Sequence, residues 1–340
     1  MVTEREAWLA LTIEDPMDPE QPICDPHHHL WDFLKNHIPA YATYIPRYLL
    51  EELLQDIGGG HHIVQTVFVE CGAMWRKGGP QEMQPVGETE FVQGIAAQSA
   101  SGQYGMTAVA AGIVGFADLT LGAAVAPLLE AHIAASRNRF RGIRFRPIRR
   151  TSPEGLLLDP KFREGFACLQ KYNLSYDGSA HRPDMMDLVD LARVFPNIPI
   201  IVNHTGVSFG AGPYAGKPEE VFQEWKRGIA ALASCPNVVM KLGGLGMKMH
   251  GFGWHQRATP PGSVELAEAM APYYLWCIEQ FGADRCMFES NFPVDKMSYS
   301  YTVLWNAFKR ISEGFSPEDR SALFHDTAVK TYRLATNYEQ

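Results

Sequence analysis

Residues 198–204 have the sequence Ile-Pro-Ile-Ile-Val-Asn-His, a short apolar run that turns polar at its carboxyl end. A continuous apolar run of this length is typical of a strand buried on both faces of a parallel sheet. Seven similar runs lie at spacings of roughly 25–50 residues, with helix-like stretches between them. The eight candidate strands are residues 23–29, 63–71, 107–115, 141–147, 174–181, 198–204, 236–243 and 285–291.

The stretches between the strands have helical patterns. Apolar residues recur at helical spacing in 218–234, the stretch 263–281 ends before Gly282, and Ser316 precedes proline and two acidic residues as a helix N-cap does. Eight strand–helix units in one chain predict a (β/α)₈ TIM barrel, not a doubly wound sheet. We expect residues 23–340 to form this single domain. Residues 1–22 are predicted to be a polar leader in which two Asp-Pro pairs break any helix.

The composition excludes several classes of function. A formal charge of −8 gives no basic surface for nucleic acid. No apolar run is long enough to cross a bilayer, and the first residues lack the pattern of a signal peptide. The six cysteines lie far apart and are expected to be reduced. We therefore expect a cytoplasmic protein without a membrane or nucleic-acid partner.

The first strand ends in a run of three histidines, within Asp25-Pro-His-His-His-Leu-Trp-Asp32. Side chains alternate along a strand, so His27 and His29 are predicted to share one face and His28 to point away. Two imidazoles on one face can bind one cation. A solvated histidine cluster is the alternative.

Two further strand candidates also end in histidine, at His181 and His204. A lone histidine is more often structural than a ligand. Catalytic residues of a TIM barrel lie at the carboxyl ends of its strands, so both histidines are expected at the same mouth as His27 and His29. Their shared position favours a functional role.

Together, the histidine run, His181, Asn203-His-Thr-Gly206 and Phe288-Glu-Ser-Asn-Phe-Pro-Val294 resemble the amidohydrolase superfamily. The most similar branch contains dicarboxylate and sugar-acid lactonases and related metal-dependent decarboxylases, and the similarity extends through nearly all of the chain after residue 22. The resemblance implies that His27, His29 and His181 are metal ligands. It implies that His204 is a ligand or a substrate contact.

The chain departs from this family at its eighth strand. Where the family has an aspartate that binds metal and takes a proton from water, this sequence has Asn291. An amide cannot accept that proton. Glu289 shares the face of Asn291 one layer deeper, and Asp295 follows in the loop. We expect either carboxylate to be the substitute base.

Glu70, at the end of the second strand, is a further candidate ligand that could bridge two metal ions. The alternative is a charge paired with an arginine at the barrel rim. Arg144 and Arg146 share a face of the fourth strand and could bind a substrate carboxylate. For these arginines the alternative is a salt-bridged interior layer.

The glycine-rich loop after the seventh strand contains His250, Trp254 and His255. Loops over a barrel mouth are where substrate contacts concentrate, so these residues are predicted to bind substrate. A subunit contact is the alternative.

These residues predict a metal-dependent hydrolase of a small anionic substrate, such as a lactone or another cyclic ester or amide. We expect one or two divalent ions, with zinc or manganese favoured and iron as the alternative. Three other functions remain open: a dinuclear iron or manganese–iron oxygenase, a nonoxidative decarboxylase, and a catalytically silent partner subunit. We expect a homo-oligomer or a related hetero-oligomer.

Overall fold

A computed structural model describes residues 3–33, 38–145, 155–178, 185–206 and 218–335. Its main element is a sheet of eight parallel strands in which each strand pairs with the next one along the chain. The predicted (β/α)₈ barrel is thereby confirmed. The barrel strands are β1 (Ile23–His28), β4 (Ile63–Val69), β5 (Ala108–Gly115), β6 (Phe140–Arg144), β7 (Ser175–Gly178), β8 (Ile200–Val202), β9 (Val238–Leu242) and β10 (Cys286–Phe288); β2 (Trp31–Asp32) and β3 (Arg47–Tyr48) form a separate hairpin.

The barrel closes between the ends of β1 and β10. The backbone N–H of His29 donates to Phe292 O at 2.7 Å, and that of Asn291 donates to His27 O at 2.9 Å. These bonds place the histidine run of β1 directly beside the segment that contains Asn291.

The helices form the outer layer, and their bounds agree closely with the predicted ranges. For example, the stretch predicted at 263–281 is one helix over those residues. The helices are α1 (Glu4–Leu9), α2 (Leu50–Ile57), α3 (Val86–Ala100), α4 (Ala126–Ala135), α5 (Pro160–Lys171), α6 (Met185–Val194), α7 (Pro218–Ala233), α8 (Ser263–Phe281), α9 (Tyr301–Ile311), α10 (Pro317–Ser321) and α11 (Thr327–Tyr332). None of the described helices is long and apolar enough to span a membrane.

The barrel interior is apolar at its amino-terminal end and polar toward the mouth. Side chains from the strands pack there with α11 in one buried apolar cluster that includes Val67, Ile201, Met287 and Tyr332. Above this layer, β7 and β9 place Asp177 and Lys241 in full burial. The amino-terminal end is thus filled by side chains, and the chemistry is confined to the carboxyl end, as in other TIM barrels.

The amino-terminal segment contains a helix, so the expectation that Asp-Pro pairs break any helix there was wrong. Helix α1 precedes those pairs and is stabilised by a capping box of Thr3 and Glu6. Arg5 donates to Met297 O at 2.9 Å and Trp8 donates to Arg257 O at 2.9 Å. The segment therefore packs against the loops that follow β9 and β10.

The six cysteines are free thiols, as expected. Five of them are buried, and Cys168 is half-buried.

Candidate active site

His27 and His29 lie side by side inside the mouth, with ring centroids 4.9 Å apart and ring planes at 83°. Both residues are buried. His28 points away, and its Nε2 lies 2.8 Å from Thr66 Oγ1 in a separate buried contact. The predicted alternation of these three side chains is confirmed.

The Nδ1 atoms of three histidines each contact an acceptor oxygen. Nδ1 of His29 lies 2.7 Å from Val69 O, and Nδ1 of His204 lies 2.7 Å from Glu289 Oε1. Nδ1 of His27 lies 2.7 Å from Glu289 Oε2. A carbonyl or carboxylate oxygen can only accept, so the neutral rings of His29 and His204 carry the hydrogen on Nδ1 and the lone pair on Nε2. Glu289 Oε2 has no hydrogen-bond partner among the described residues, so the contact of His27 is not a hydrogen bond. The lone pair of neutral His27 lies on Nε2 because Arg144 Nη1, which can only donate, is 3.2 Å from that atom.

The lone pairs on Nε2 face different neighbours. That of His29 faces Asn291 Oδ1 at 3.3 Å, and that of His27 faces Arg144 Nη1 at 3.2 Å. The side chain of His204 is 11% exposed, and Glu289 covers the Nδ1 side of its ring. Histidines that bind metals are typically held in this way, with the other ring N–H donated to a carboxylate or a carbonyl.

The contact between His29 and Asn291 brings two acceptor atoms close together. In the neutral ring Nε2 has a lone pair, and the amide oxygen of Asn291 also only accepts. A shared cation would satisfy both atoms. Nε2 of His29 and Oδ1 of Asn291 lie 3.3 Å apart. Two ligand atoms of a tetrahedral site with bonds of about 2.0 Å are also about 3.3 Å apart. The donor set therefore fits a divalent ion.

Glu289 is fully buried and joins two histidines instead of facing the mouth. Besides its ring contacts, it accepts the backbone N–H of His204 at 3.1 Å. The ligand-type atoms of His27, His204 and Glu289 all lie within 4.8 Å of one another. This buried group is a second place where a cation could bind among the described residues.

Asp295 is also fully buried, behind Asn291. It accepts from Asn291 Nδ2 at 2.8 Å, Tyr299 OH at 2.6 Å and Gly246 N at 3.0 Å. Burial raises the pKa of Asp295 to about 6, against the opposing effect of these donors. The carboxyl group is thus linked to the ring of His29 through Asn291.

Glu70 and Arg144 are paired with each other at the rim. Arg144 Nε donates to Glu70 Oε1 at 2.7 Å, and Arg144 Nη2 donates to Glu70 O. Both side chains are buried. This ion pair is the alternative that the sequence left open for Glu70. It directs the Arg144 guanidinium toward Glu70 and His27. Metal binding by Glu70 and substrate binding by Arg144 remain predictions.

A buried layer of charge lies below the histidines. Lys241 Nζ lies 2.9 Å from Asp177 Oδ1 and 3.3 Å from His27 Nδ1. Tyr332 OH donates to Asp177 at 2.7 Å. Burial, and then the positive charge of Lys241, lowers the pKa of His27 well below its usual range, which keeps that ring neutral. Lys241 was not among the predicted site residues, although its place near the end of the seventh strand was a signal in the sequence.

The remaining predicted site residues are placed as follows. His181 and Arg146 lie outside the described residues. Trp254 is buried, stacks on Phe252 at 4.3 Å and contacts Tyr299 at 5.9 Å.

The two histidines of the same loop differ in exposure. His250 is buried. His255 is partly exposed and packs on Tyr44 at 6.2 Å. Substrate binding by these histidines and by Trp254 remains a prediction; Trp254 contacts Tyr299, which donates to Asp295.

Comparison with known proteins gives a consistent set of relatives. A family model for amidohydrolases matches residues 24–334. The protein y4mH of Sinorhizobium fredii is 35% identical over 331 residues, which cover 92% of this chain and 98% of that protein. An L-fucono-1,5-lactonase of Burkholderia ambifaria is 24% identical over 278 residues, which cover 77% and 87%. A crystal structure of an amidohydrolase from Burkholderia multivorans with bound zinc has a TM-score of 0.73 at 24% identity, covering 92% and 99%.

Proposed function

This chain belongs to the amidohydrolase family, and we propose that it is a metal-dependent hydrolase that opens lactones. The observation that supports this proposal most strongly is the common orientation of His27, His29 and His204. Each ring directs Nδ1 at an acceptor oxygen. Each ring therefore carries its lone pair on Nε2, the atom that can act as a ligand or a base.

The metal site of this proposal consists of Nε2 of His27, Nε2 of His29 and Oδ1 of Asn291. Zinc or manganese suits this mixture of imidazole and oxygen ligands. When bound, such an ion would polarise a substrate carbonyl and lower the pKa of a water molecule. Arg144 Nη1 faces the single lone pair of His27 Nε2 at 3.2 Å, so the guanidinium would have to give up this contact for the ring to bind metal.

The proton acceptor of this proposal is His204. Asn291 cannot accept a proton, and the oxygens of Glu289 contact the two rings of His27 and His204. His204 remains partly exposed, and its contact with Glu289 would stabilise the imidazolium that forms after proton transfer. The Glu289 carboxylate thus acts through His204 instead of meeting water directly.

Sugar-acid lactones are the substrate class of this proposal. It is supported by the L-fucono-1,5-lactonase, since the aligned region spans most of both proteins. Lactone hydrolysis adds water across the ring ester and gives a hydroxy acid. Its carboxyl group is ionised at neutral pH. One proton is therefore released for each ring opened, and the reaction can be followed with a pH indicator.

The test is a panel of 1,4- and 1,5-aldonolactones with protein loaded with zinc or manganese. Spontaneous hydrolysis is subtracted, and His29→Ala is the matched inactive control. We expect turnover of at least one lactone by the wild type and loss of that turnover after chelation. Folded, metal-loaded protein that opens no lactone would contradict the proposal. Carbon dioxide release or oxygen uptake with an aromatic acid would instead support the decarboxylase or the oxygenase.

A further inference from the structure

Asp295 is surrounded by hydrogen-bond donors from two loops. Oδ1 accepts from Asn291 Nδ2 at 2.8 Å. Oδ2 accepts from Tyr299 OH at 2.6 Å and from Gly246 N at 3.0 Å. The enclosure is tight, since a Cβ on Gly246 would lie 2.8 Å from Tyr299 Oη and 2.9 Å from Asp295 Cγ. The carboxylate is therefore held in a fixed place beside Asn291.

This carboxylate determines which end of the Asn291 amide faces the histidines. The oxygen and the NH₂ group of an amide have nearly the same shape, so only hydrogen bonds select its orientation. A carboxylate accepts and does not donate, so the NH₂ group turns toward Asp295. The amide oxygen must then turn toward His29, where it lies 3.3 Å from Nε2.

We propose that Asp295 is a positioning residue that converts Asn291 into an oxygen ligand for the metal. The inference rests on the proposed function, because it concerns the same metal site. In this account the negative charge near the end of β10 belongs to Asp295, which is one hydrogen bond away from the proposed ligand Asn291. Asp295 itself takes no proton from water in this account.

The substitution Asp295→Asn tests the orientation directly. Gly246 N–H can only donate, so the introduced amide must keep its oxygen on the side of Gly246 and Tyr299. Its NH₂ group then faces Asn291. We expect the Asn291 amide to turn over and to present its own NH₂ group to His29 Nε2, where it competes with the metal.

The exchange Asn291→Asp with Asp295→Asn is the rescue. It keeps the total charge and restores a donor–acceptor contact between the two positions, while an oxygen again faces His29. Asn291→Asp alone is expected to fail, because it places two carboxylates at a buried contact that is now 2.8 Å long. Both single variants should therefore bind zinc more weakly than the double variant.

The readout is zinc affinity, measured by competition with a chromogenic chelator, together with lactone turnover. We expect Asp295→Asn to weaken zinc binding by about tenfold or more. The double exchange should return to within about threefold of wild type. Glu14→Gln is the control, because Glu14 also accepts from a backbone N–H, that of Ser263 at 2.7 Å, and from an amide, Asn306 Nδ2 at 2.9 Å, and neither donor belongs to the site. It should bind zinc as the wild type does.

The outcomes separate this inference from the proposed function. If folded Asp295→Asn binds zinc as tightly as wild type, or the double exchange stays as weak as the single variants, the positioning role is wrong. If the wild type binds zinc and the affinity series behaves as expected but no lactone is opened, only the proposed reaction fails. If the wild type binds no zinc, both are overturned.

Discussion

Gly244 and His204 approach each other so closely that no Cβ fits between them. An ideal Cβ on Gly244 would lie 2.4 Å from His204 Nδ1 and 2.5 Å from its Cγ. Gly244 also has φ of +75°, and His204 has φ of +56°. The ring that we assign as proton acceptor is thus confined between the loop after β9 and the carboxylate of Glu289.

We expect Gly244→Ala to lower kcat/KM by about 100-fold, because a shift of the ring by about 1 Å is enough to misplace a catalytic group. Gly253→Ala is the matched control. Gly253 has φ of +69°, but nothing lies within 4 Å of its added Cβ. Both variants should therefore lose about 1–2 kcal/mol of stability from backbone strain. Only Gly244→Ala should lose activity; equal activities in the two variants would contradict the role of His204.

Glu289→Gln should weaken both metal binding and turnover. A glutamine offers one oxygen and one NH₂ group, so it can accept from only one of the two Nδ1–H groups that now contact Glu289. The other ring would change its tautomer and lose the Nε2 lone pair. We expect zinc affinity to fall by about 10–100-fold.

The matched control for this variant is Glu265→Gln, at an exposed pair with Arg257. It should retain the wild-type zinc affinity. A Glu289→Gln protein that binds zinc as tightly as this control would show that the carboxylate does not orient the histidines.

Lys241→Met tests the buried charge layer. Lys241 and Asp177 are both fully buried and lie 2.9 Å apart. Removing the cation leaves the Asp177 carboxylate buried without its counter-charge, at an expected cost of about 3–5 kcal/mol in the free energy of unfolding. Urea denaturation measures this change.

The matched control is Lys171→Met. Lys171 lies 3.9 Å from Glu130 in an exposed pair, so this variant should unfold at the same urea concentration as wild type. Equal stability of the two variants would mean that the Lys241–Asp177 pair contributes nothing to the fold.

His132 should make the fold sensitive to acid. Its Nδ1 lies 2.8 Å from Thr89 Oγ1, its Nε2 lies 2.9 Å from Phe116 O, and burial lowers its pKa to about 4. In the unfolded chain the pKa is about 6.5, so between these values the unfolded state binds more protons than the native state. Stability from this group therefore rises with pH across the window from 4 to 6.5.

The change in unfolding free energy between pH 4.5 and 6.5 should be smaller in His132→Gln than in wild type, by about 2 kcal/mol. Urea titrations at the two pH values give this difference without depending on the absolute stability of the variant. An unchanged pH dependence would show that His132 titrates alike in both states.

The sequence predicted the barrel and the order of its strands because each strand is a short apolar run with polar residues at one end. It placed the carboxyl ends of several strands too far along the chain. The sixth strand was expected to reach His204, whereas β8 ends at Val202 and the chain turns with left-handed backbone at His204 and Thr205. Turns of this kind depend on close packing with other loops, such as that around Gly244, which the local pattern does not contain.

The individual histidines of the site were predictable, but the partners of the carboxylates were not. Alternation along β1 was enough to place His27 and His29 together. An arginine partner for Glu70 was one of two alternatives, but its identity was not predictable, because Glu70 and Arg144 lie at the ends of strands that are not neighbours in the sheet. The two candidate bases were identified as carboxylates near the mouth; their burial behind His204 and Asn291 depends on the three-dimensional closure of the barrel.

The helix in the amino-terminal segment had a signal that could have predicted it. Thr3 and Glu6 have the spacing of a capping box. The Asp-Pro pairs that argued against a helix begin only at Asp15, after α1 has ended. The Asp-Pro pairs therefore exclude a helix only in the residues that follow α1.

The most direct test of the account is the number of divalent ions per chain in wild type and in His29→Ala. Both proteins are loaded with excess zinc, desalted and analysed by mass spectrometry for metals, and circular dichroism verifies their folding. We predict about one retained ion per wild-type chain and less than about a tenth of that in the variant. A wild type that retains no zinc, or a folded His29→Ala protein that retains as much as wild type, would contradict the assignment of a metal centre at these histidines.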